Sequence, residues 1–148
     1  MLIEERGART TTKKVRVAIN GYGVIGKRVA DAVAAQDDME LVGVADASFD
    51  YRLRVAAERG FPIYAALADR ARAMQSARFS VGGSRDDLLA RVDIVVDCTP
   101  TNIGVANKPA YERAGVRAIF QGGESHEFAG LSFVAWSSLA TSTMRSAG

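Results

Sequence analysis

Short apolar, β-branched runs alternate along this chain with segments whose apolar residues recur at helical spacing. Such runs are typical of buried parallel strands, and the segments between them are typical of helices that pack on a sheet. The predicted strands cover residues 15–20, 40–45, 61–65, 92–97 and 116–120. The predicted helices cover residues 27–35, 51–59, 69–76, 86–91 and 102–114. The alternation predicts a single α/β domain, with a doubly wound, mainly parallel sheet that carries helices on both faces.

Residues with strong capping preferences mark several helix ends. Gly60 and Gly115 follow the second and fifth predicted helices, where glycine commonly ends a helix in the left-handed conformation. Ser84 and Asp87 have the spacing of a capping box and predict the start of the fourth helix. No strand or helix is predicted for residues 77–83.

A Gly-x-Gly-x-x-Gly sequence lies directly between the first predicted strand and the first predicted helix. At such a turn Gly21 permits the tight bend, Gly23 lets a pyrophosphate approach the backbone, and Gly26 lets the helix pack closely on the strand. Free N–H groups and the positive end of the helix dipole then stabilise the phosphates. The order strand, glycine turn, helix, strand predicts a Rossmann-type dinucleotide-binding domain. A strand-to-helix turn that binds nothing is the alternative.

An acidic residue, Asp46, follows the second predicted strand, twenty positions after Gly26. A carboxylate at this place can accept hydrogen bonds from the adenosine ribose hydroxyls. It also repels a 2′-phosphate, so the sequence favours NAD over NADP as the cofactor. The alternative is an aspartate that forms a turn or caps a helix before Ala47 and Ser48.

Composition and length indicate one globular domain with less ordered ends. The chain has 148 residues, of which 48% are hydrophobic and 24% charged, as in a soluble protein with one core. We expect residues 1–14, which are polar and mixed in charge, to form a disordered leader. Residues 15–136 are expected to form the NAD(P)-binding Rossmann domain. Residues 137–148 have no clear period and are expected to form a divergent or truncated tail.

The ends of the fourth and fifth predicted strands are expected to line the same crevice as the glycine turn, since ligands of open sheets lie beyond the carboxyl ends of the strands. This places residues 98–100, including Thr99, and residues 121–124, including Gly123, at the site. Cys98 follows apolar strand positions, so an inert buried thiol is a better interpretation than a nucleophile. His126 is interpreted as a solvated loop residue, because no partner for it can be identified from spacing.

Charge and residue counts exclude several other classes of function. The net charge of +2 gives no reason to expect nucleic acid or a membrane as a partner. One cysteine and one histidine cannot form a cluster of soft metal ligands, so no metal site is expected. The first residues lack the apolar run of a secretory signal, and no stretch is long enough to span a membrane. We therefore expect a cytoplasmic protein.

Four separated segments closely resemble the archaeal-type phosphorylating glyceraldehyde-3-phosphate dehydrogenases: residues 17–33, 36–44, 92–100 and 118–124. The resemblance covers residues 15–135. It implies a cytoplasmic homotetramer that oxidises glyceraldehyde 3-phosphate with NAD or NADP and phosphate through a cysteine thioester. It also implies which residues contact the cofactor: the glycine turn Gly21, Tyr22, Gly23, Val24, Ile25 and Gly26, and in addition Gly123. Asp46 departs from members that carry a basic residue near this point, which again favours NAD.

The nucleophile of this family lies in a Ser-Cys-Asn-Thr-Thr-Gly motif that does not occur in these 148 residues. The resemblance therefore implies no catalytic residue in this chain, and a chain that is inactive alone. A frameshift, an early stop or an incomplete gene would each produce such an ending. The alternative function is a stand-alone dinucleotide-binding regulatory module.

Overall fold

The computed structural model describes residues 13–121, 123 and 125–129. Six strands form its sheet: β1 (Val15–Asn20), β2 (Met39–Asp46), β3 (Ile63–Ala65), β4 (Val81–Ser84), β5 (Ile94–Asp97) and β6 (Arg117–Phe120). The α-helices between and after them are α1 (Val24–Ala34), α2 (Tyr51–Glu58), α3 (Ala71–Ser76), α4 (Arg85–Leu89), α5 (Ile103–Ala114) and α6 (His126–Ala129). One turn of 3₁₀-helix, Ala68–Arg70, leads into α3. None of the helices within these residues is long and apolar enough to span a membrane.

All neighbouring strands of the sheet run parallel, in the order β4-β3-β2-β1-β5-β6. The chain winds outward from β1 to β4 in one direction and then returns to add β5 and β6 on the other side. The strand order therefore reverses between β1 and β5, and a crevice opens at the carboxyl ends of strands at such a point. The predicted Rossmann-type fold is confirmed.

Alternate residues of β1, β2, β3 and β5 pack into two separate cores, one on each face of the sheet. In β1, Val17 and Ile19 belong to the core that is covered by α1, α2 and α3. Ala18 belongs to the opposite core, which contains Leu88 of α4 and Tyr111 of α5. This period of two is that of a strand buried on both faces. The predicted placement of helices on both faces is thus confirmed.

The edge strand β4 was not predicted, because its sequence Val-Gly-Gly-Ser carries little of the side-chain signal of a strand. Its glycines make room for the ring of Tyr64 on β3. A Cβ on Gly82 would lie 3.0 Å from Cζ of Tyr64, and a Cβ on Gly43 of β2 would lie 2.6 Å from Cε2 of the same ring. The Tyr64 hydroxyl accepts a hydrogen bond from Arg91 at 3.0 Å. Packing around one aromatic ring therefore determines this part of the sheet.

Most predicted boundaries shift by a few residues, and the predicted caps are confirmed. Helix α1 begins at Val24 and not at residue 27, so it starts inside the glycine motif. Gly60 and Gly115 have φ angles of +79° and +67° at the ends of α2 and α5. Ser84 and Asp87 form the capping box of α4, with each side chain accepting a hydrogen bond from the other residue's backbone N–H. The expected tail 137–148, and all of the expected leader 1–14 except its last two residues, lie outside the described residues.

Candidate functional site

A cleft of about 740 Å³ lies at the carboxyl ends of the strands, where the strand order reverses between β1 and β5. Its walls are formed by the end of β1, the glycine turn with the first turn of α1, the loops that follow β2, β3, β5 and β6, and residues of α2, α4 and α5. The lining residues include Asn20, Gly21, Gly23, Val24, Ile25, Asp46, Ser48, Arg52, Leu67, Arg85, Cys98, Thr99, Thr101 and Gln121. The ends of the fourth and fifth predicted strands, now β5 and β6, were expected to lie beside the glycine turn, and the structure brings residues of all three together in this cleft.

The three glycines of the turn differ in what their missing side chains make possible. Gly21 has a φ of +93°, and a Cβ there would lie 2.9 Å from the carbonyl carbon of Cys98. A Cβ on Gly26 would lie 1.9 Å from the carbonyl oxygen of Gly21. Gly23 has an ordinary φ of −83°, and a Cβ there would meet nothing within 4 Å. The fold therefore requires Gly21 and Gly26, whereas Gly23 only leaves space beside the cleft.

The helix that begins at this turn has an uncapped N-terminus. Gly23 is its N-cap and offers no side-chain hydrogen bond, and the first turn of α1 contains no acidic residue. By contrast, α2 is capped by the side chain of Asp50 and α4 by that of Ser84. The first N–H groups of a helix have no partner within the helix, and the helix dipole makes this end attractive to anions. The first turn of α1, next to the open space at Gly23, thus has the features of a phosphate-binding site.

Asp46 lies at the end of β2 and contacts the glycine turn directly. One carboxylate oxygen, Oδ2, accepts a hydrogen bond from the backbone N–H of Tyr22 at 2.7 Å. The other, Oδ1, accepts one from the backbone N–H of Ser48 at 2.7 Å. The turn-forming role that was the alternative for Asp46 is therefore present in the structure. It does not exclude a ribose contact, since each carboxylate oxygen can accept a second hydrogen bond.

Tyr22 and Gly26 lie behind the glycine turn and not in the cleft. The ring of Tyr22 is buried in the core beneath α1 and α2 and is only 2% exposed. Its hydroxyl has no hydrogen-bond partner among the described residues. These two residues therefore support the turn from the side of the protein core. Gly21, Gly23, Val24 and Ile25 are the residues of the motif that line the cleft.

A buried polar network supports the far wall of the cleft, beyond the end of β5. The carboxylate of Asp97, 1% exposed, accepts hydrogen bonds from the backbone N–H and the hydroxyl of Thr99, from Asn107 and from the hydroxyl of Tyr111. The Tyr111 hydroxyl in turn accepts a hydrogen bond from Nδ2 of Asn20 at 2.7 Å. Burial, followed by the hydrogen bond to Asp97, raises the pKa of Tyr111. Thr99 is therefore held in place by a buried carboxylate that accepts hydrogen bonds on both of its oxygens.

Cys98 lines the cleft, but its surroundings oppose formation of a thiolate. Burial, and then the charge of the adjacent Asp97, raise its pKa to about 12. A nucleophilic cysteine requires the opposite shift. This supports the interpretation of Cys98 as an inert thiol. The prediction that His126 lies in a loop is wrong, since it is the first residue of the helix α6.

Gly123 lies at the edge of the site and has a φ of +81°. A Cβ there would lie 3.8 Å from the hydroxyl oxygen of Thr101, which itself lines the cleft. Its neighbours Gly122 and Glu124, part of the same predicted segment, lie outside the described residues.

Two arginines of the cleft were missed by the sequence argument. Arg52 on α2 forms an ion pair of 2.6 Å with Asp50, and Arg85 on α4 donates a hydrogen bond of 2.8 Å to Asn107. Both follow helix N-caps in polar segments, where charged residues usually face solvent. The sequence therefore carries no signal that would have singled them out.

Comparison with known proteins agrees with this geometry. A family model described as the NAD-binding domain of homoserine dehydrogenase matches residues 21–107, more than half of the chain. Glyceraldehyde-3-phosphate dehydrogenase of Thermococcus kodakarensis is 55% identical over 122 residues, which are 82% of this chain and 36% of the relative. The enzyme of the same name from Methanococcoides burtonii is 52% identical over 120 residues, which are 81% of this chain and 36% of the relative. The chain thus spans about a third of the length of these relatives.

Solved structures share the fold at lower sequence identity. A UDP-N-acetylglucosamine 3-dehydrogenase from Acidithiobacillus ferrooxidans superposes with a TM-score of 0.55 and 27% identity, covering 80% of this chain and 33% of that protein. The predicted resemblance to the glyceraldehyde-3-phosphate dehydrogenases is confirmed by the two archaeal relatives. The glycine turn, the cleft at the reversal of strand order and the family match agree, and the chain belongs to the family described as the NAD-binding domain of homoserine dehydrogenase.

Proposed function

We propose that the cleft binds NAD across the carboxyl ends of β1 and β5, and that the chain is the dinucleotide-binding part of a phosphorylating glyceraldehyde-3-phosphate dehydrogenase. The observation that carries the proposal is Gly23. Its missing side chain relieves no contact within the protein, yet it opens space directly beside an uncapped helix N-terminus. A bound pyrophosphate would occupy that space.

Each part of the cleft has a role in this proposal. The N–H groups of Gly23, Val24 and Ile25 bind the phosphates, and Gly21, Tyr22 and Gly26 hold the turn that presents them. Asp46 accepts hydrogen bonds from the adenosine ribose, and its negative charge favours NAD over NADP. Thr99 and Gly123 border the nicotinamide side, at the ends of β5 and β6.

The bound cofactor supplies hydride transfer, and the residues of this chain bind and orient it. The covalent step of the proposed reaction needs a cysteine thiolate, and the raised pKa of Cys98 makes that residue unsuitable. The nucleophile and the site for glyceraldehyde 3-phosphate therefore belong to residues other than those described, and we expect this chain to be inactive alone. In the complete enzyme we propose a cytoplasmic homotetramer, with residues 15–136 as its dinucleotide-binding domain.

A fluorescence titration with NADH tests the proposal. The purified chain should bind NADH saturably. Gly23→Ala should bind at least about tenfold more weakly, because its methyl group occupies the space that the pyrophosphate needs. Gly60→Ala controls for an added Cβ away from the cleft, at the end of α2, where nothing lies within 4 Å. Because its φ of +79° strains alanine, any effect of Gly60→Ala reports on the fold and not on the phosphate site. Equal NADH affinity in the wild type and Gly23→Ala would contradict the proposed phosphate site.

A further inference from the structure

The carboxylate of Asp46 joins two loops of the cleft. Its hydrogen bond to the N–H of Tyr22 crosses from the end of β2 to the glycine turn, a separation of 24 residues in sequence. Its second oxygen is fixed by the N–H of Ser48 in its own loop. At 2.7 Å each, these are charge-assisted hydrogen bonds of the stronger kind.

The backbone at Asp46 is held by hydrogen bonds on both sides. Its carbonyl oxygen accepts a hydrogen bond of 2.9 Å from the N–H of Ala66, just beyond β3. The preceding residue, Ala45, accepts one of 2.8 Å from the N–H of Gly21. The carboxylate thus projects from the paired end of a central strand, and its orientation is determined from both sides.

The hydrogen bond to Asp46 orients a peptide of the glycine turn that the other contacts of the turn do not hold. The Gly21 N–H is bound to β2, the ring of Tyr22 is anchored in the core, and Gly26 packs against the Gly21 carbonyl. The peptide between Gly21 and Tyr22 lies between these anchors, and Asp46 accepts the hydrogen bond of its N–H. Without that acceptor, the partly buried N–H of Tyr22 would have no hydrogen bond in the present geometry, and the turn would have to rotate to form another one.

We propose that Asp46 is a positioning residue: it clamps the glycine turn to the end of β2 and so sets the direction of the N–H groups from Gly23 onward. This proposal rests on the proposed function, because the clamp matters for binding only where the glycine turn holds a pyrophosphate. It then affects the affinity of every ligand that carries a pyrophosphate. It is a separate role from the ribose contact. The two roles differ in one respect, since a clamp also affects ligands that have no ribose hydroxyls.

Ligand analogues separate the two roles. NADH and an NADH analogue with 2′,3′-dideoxyadenosine in place of adenosine are titrated into the wild type, Asp46→Ala and Asp46→Asn. The clamp predicts that Asp46→Ala weakens the dideoxy analogue at least about tenfold, as expected for loss of a hydrogen bond to a charged group. NADH, which also loses its ribose contact, should weaken by at least the same factor. Asp46→Asn, which keeps one acceptor oxygen, should recover part of the loss for both ligands. Loss of affinity for NADH alone, with the analogue unaffected, would overturn the proposal.

Amide exchange in the ligand-free protein provides an independent measurement. By NMR, the Tyr22 N–H should exchange at least about tenfold faster in Asp46→Ala, relative to core amides such as that of Ile19. Asp50→Ala is the matched control, because Asp50 also accepts a backbone N–H, that of Arg52 in the first turn of α2, and its hydrogen bonds go to Arg52 and not to the glycine turn. Unchanged Tyr22 exchange in Asp46→Ala would overturn the clamp. A wild type that binds neither ligand would reject the proposed function, while the exchange rates would still support or overturn the clamp.

Discussion

Gly26→Ala should destabilise the protein, although alanine is the better helix former. The added Cβ would lie 1.9 Å from the carbonyl oxygen of Gly21. Carbon–oxygen contacts in proteins are about 3.3 Å or longer, so α1 would have to move by about 1.4 Å from the turn. The obstacle is backbone, which cannot move aside by changing a rotamer.

The change in the free energy of unfolding is the sum of two opposing effects. Overpacking of this kind destabilises by about 1–3 kcal/mol and occasionally more, while replacing glycine inside a helix returns at most about 1 kcal/mol. We expect a net loss of about 2 kcal/mol in the free energy of unfolding, which for a chain of this size lowers Tm by about 4–8 °C. Gly23→Ala should change stability by no more than about 1 kcal/mol, because the loss of a glycine N-cap and the reduced freedom of the unfolded chain nearly cancel.

Urea unfolding followed by far-UV circular dichroism measures both variants against the wild type. A large loss of stability in Gly26→Ala, with little in Gly23→Ala, would support the assignment of one glycine to packing and the other to the ligand. If Gly26→Ala were as stable as the wild type, the close approach of α1 to the turn would be refuted. If Gly23→Ala lost as much stability as Gly26→Ala, the statement that a Cβ on Gly23 meets no other atom would be refuted.

Three further predictions concern ionisable groups. Cys98, with a pKa of about 12, should react with a thiol reagent at pH 8 far more slowly in the folded than in the urea-unfolded chain; equal rates would contradict its burial. The hydrogen bonds and charge of Arg16 lower the pKa of Asp93 to about 2, so this pair stabilises the folded state above about pH 4 and loses its effect as the pH falls towards 2. Asp93→Asn should therefore be less stable than the wild type at pH 6, with the difference shrinking towards pH 2; a difference independent of pH would contradict this. Tyr111→Phe should cost about 1–3 kcal/mol in urea unfolding, because the buried Nδ2 of Asn20 loses its acceptor and Asp97 Oδ2 keeps only its bond from Asn107; a neutral effect would contradict a stabilising role of this network.

Elements that depend on local pattern could be predicted from the sequence, and those that depend on distant packing could not. Strand β1 and the cap of α4 follow from apolar runs and from the Ser84–Asp87 spacing. Strand β4 forms because Gly82 receives the ring of Tyr64 from the neighbouring strand. A strand built around another strand's side chain has no signature in its own residues.

The same division applies to the site. The glycine turn and Asp46 carry a motif whose spacing reflects local geometry, so the sequence located them. The hydrogen bonds that join Tyr111 to Asp97 and to Asn20 link residues 14 and 91 positions apart. The hydrogen bond from Tyr22 to Asp46 also depends on the register of β1 against β2. Such contacts become visible only when the strands are placed side by side.

The central claim is that NAD binds at the uncapped N-terminus of α1, across the carboxyl ends of β1 and β5. An NMR titration of the isotope-labelled chain with NAD tests it most directly, because each backbone N–H reports separately. The account predicts saturable shift changes at the amides of Gly23, Val24 and Ile25, together with those of Ala47 and Thr99 on the cleft walls. Shift changes confined to other surfaces, or none at saturating NAD, would contradict it.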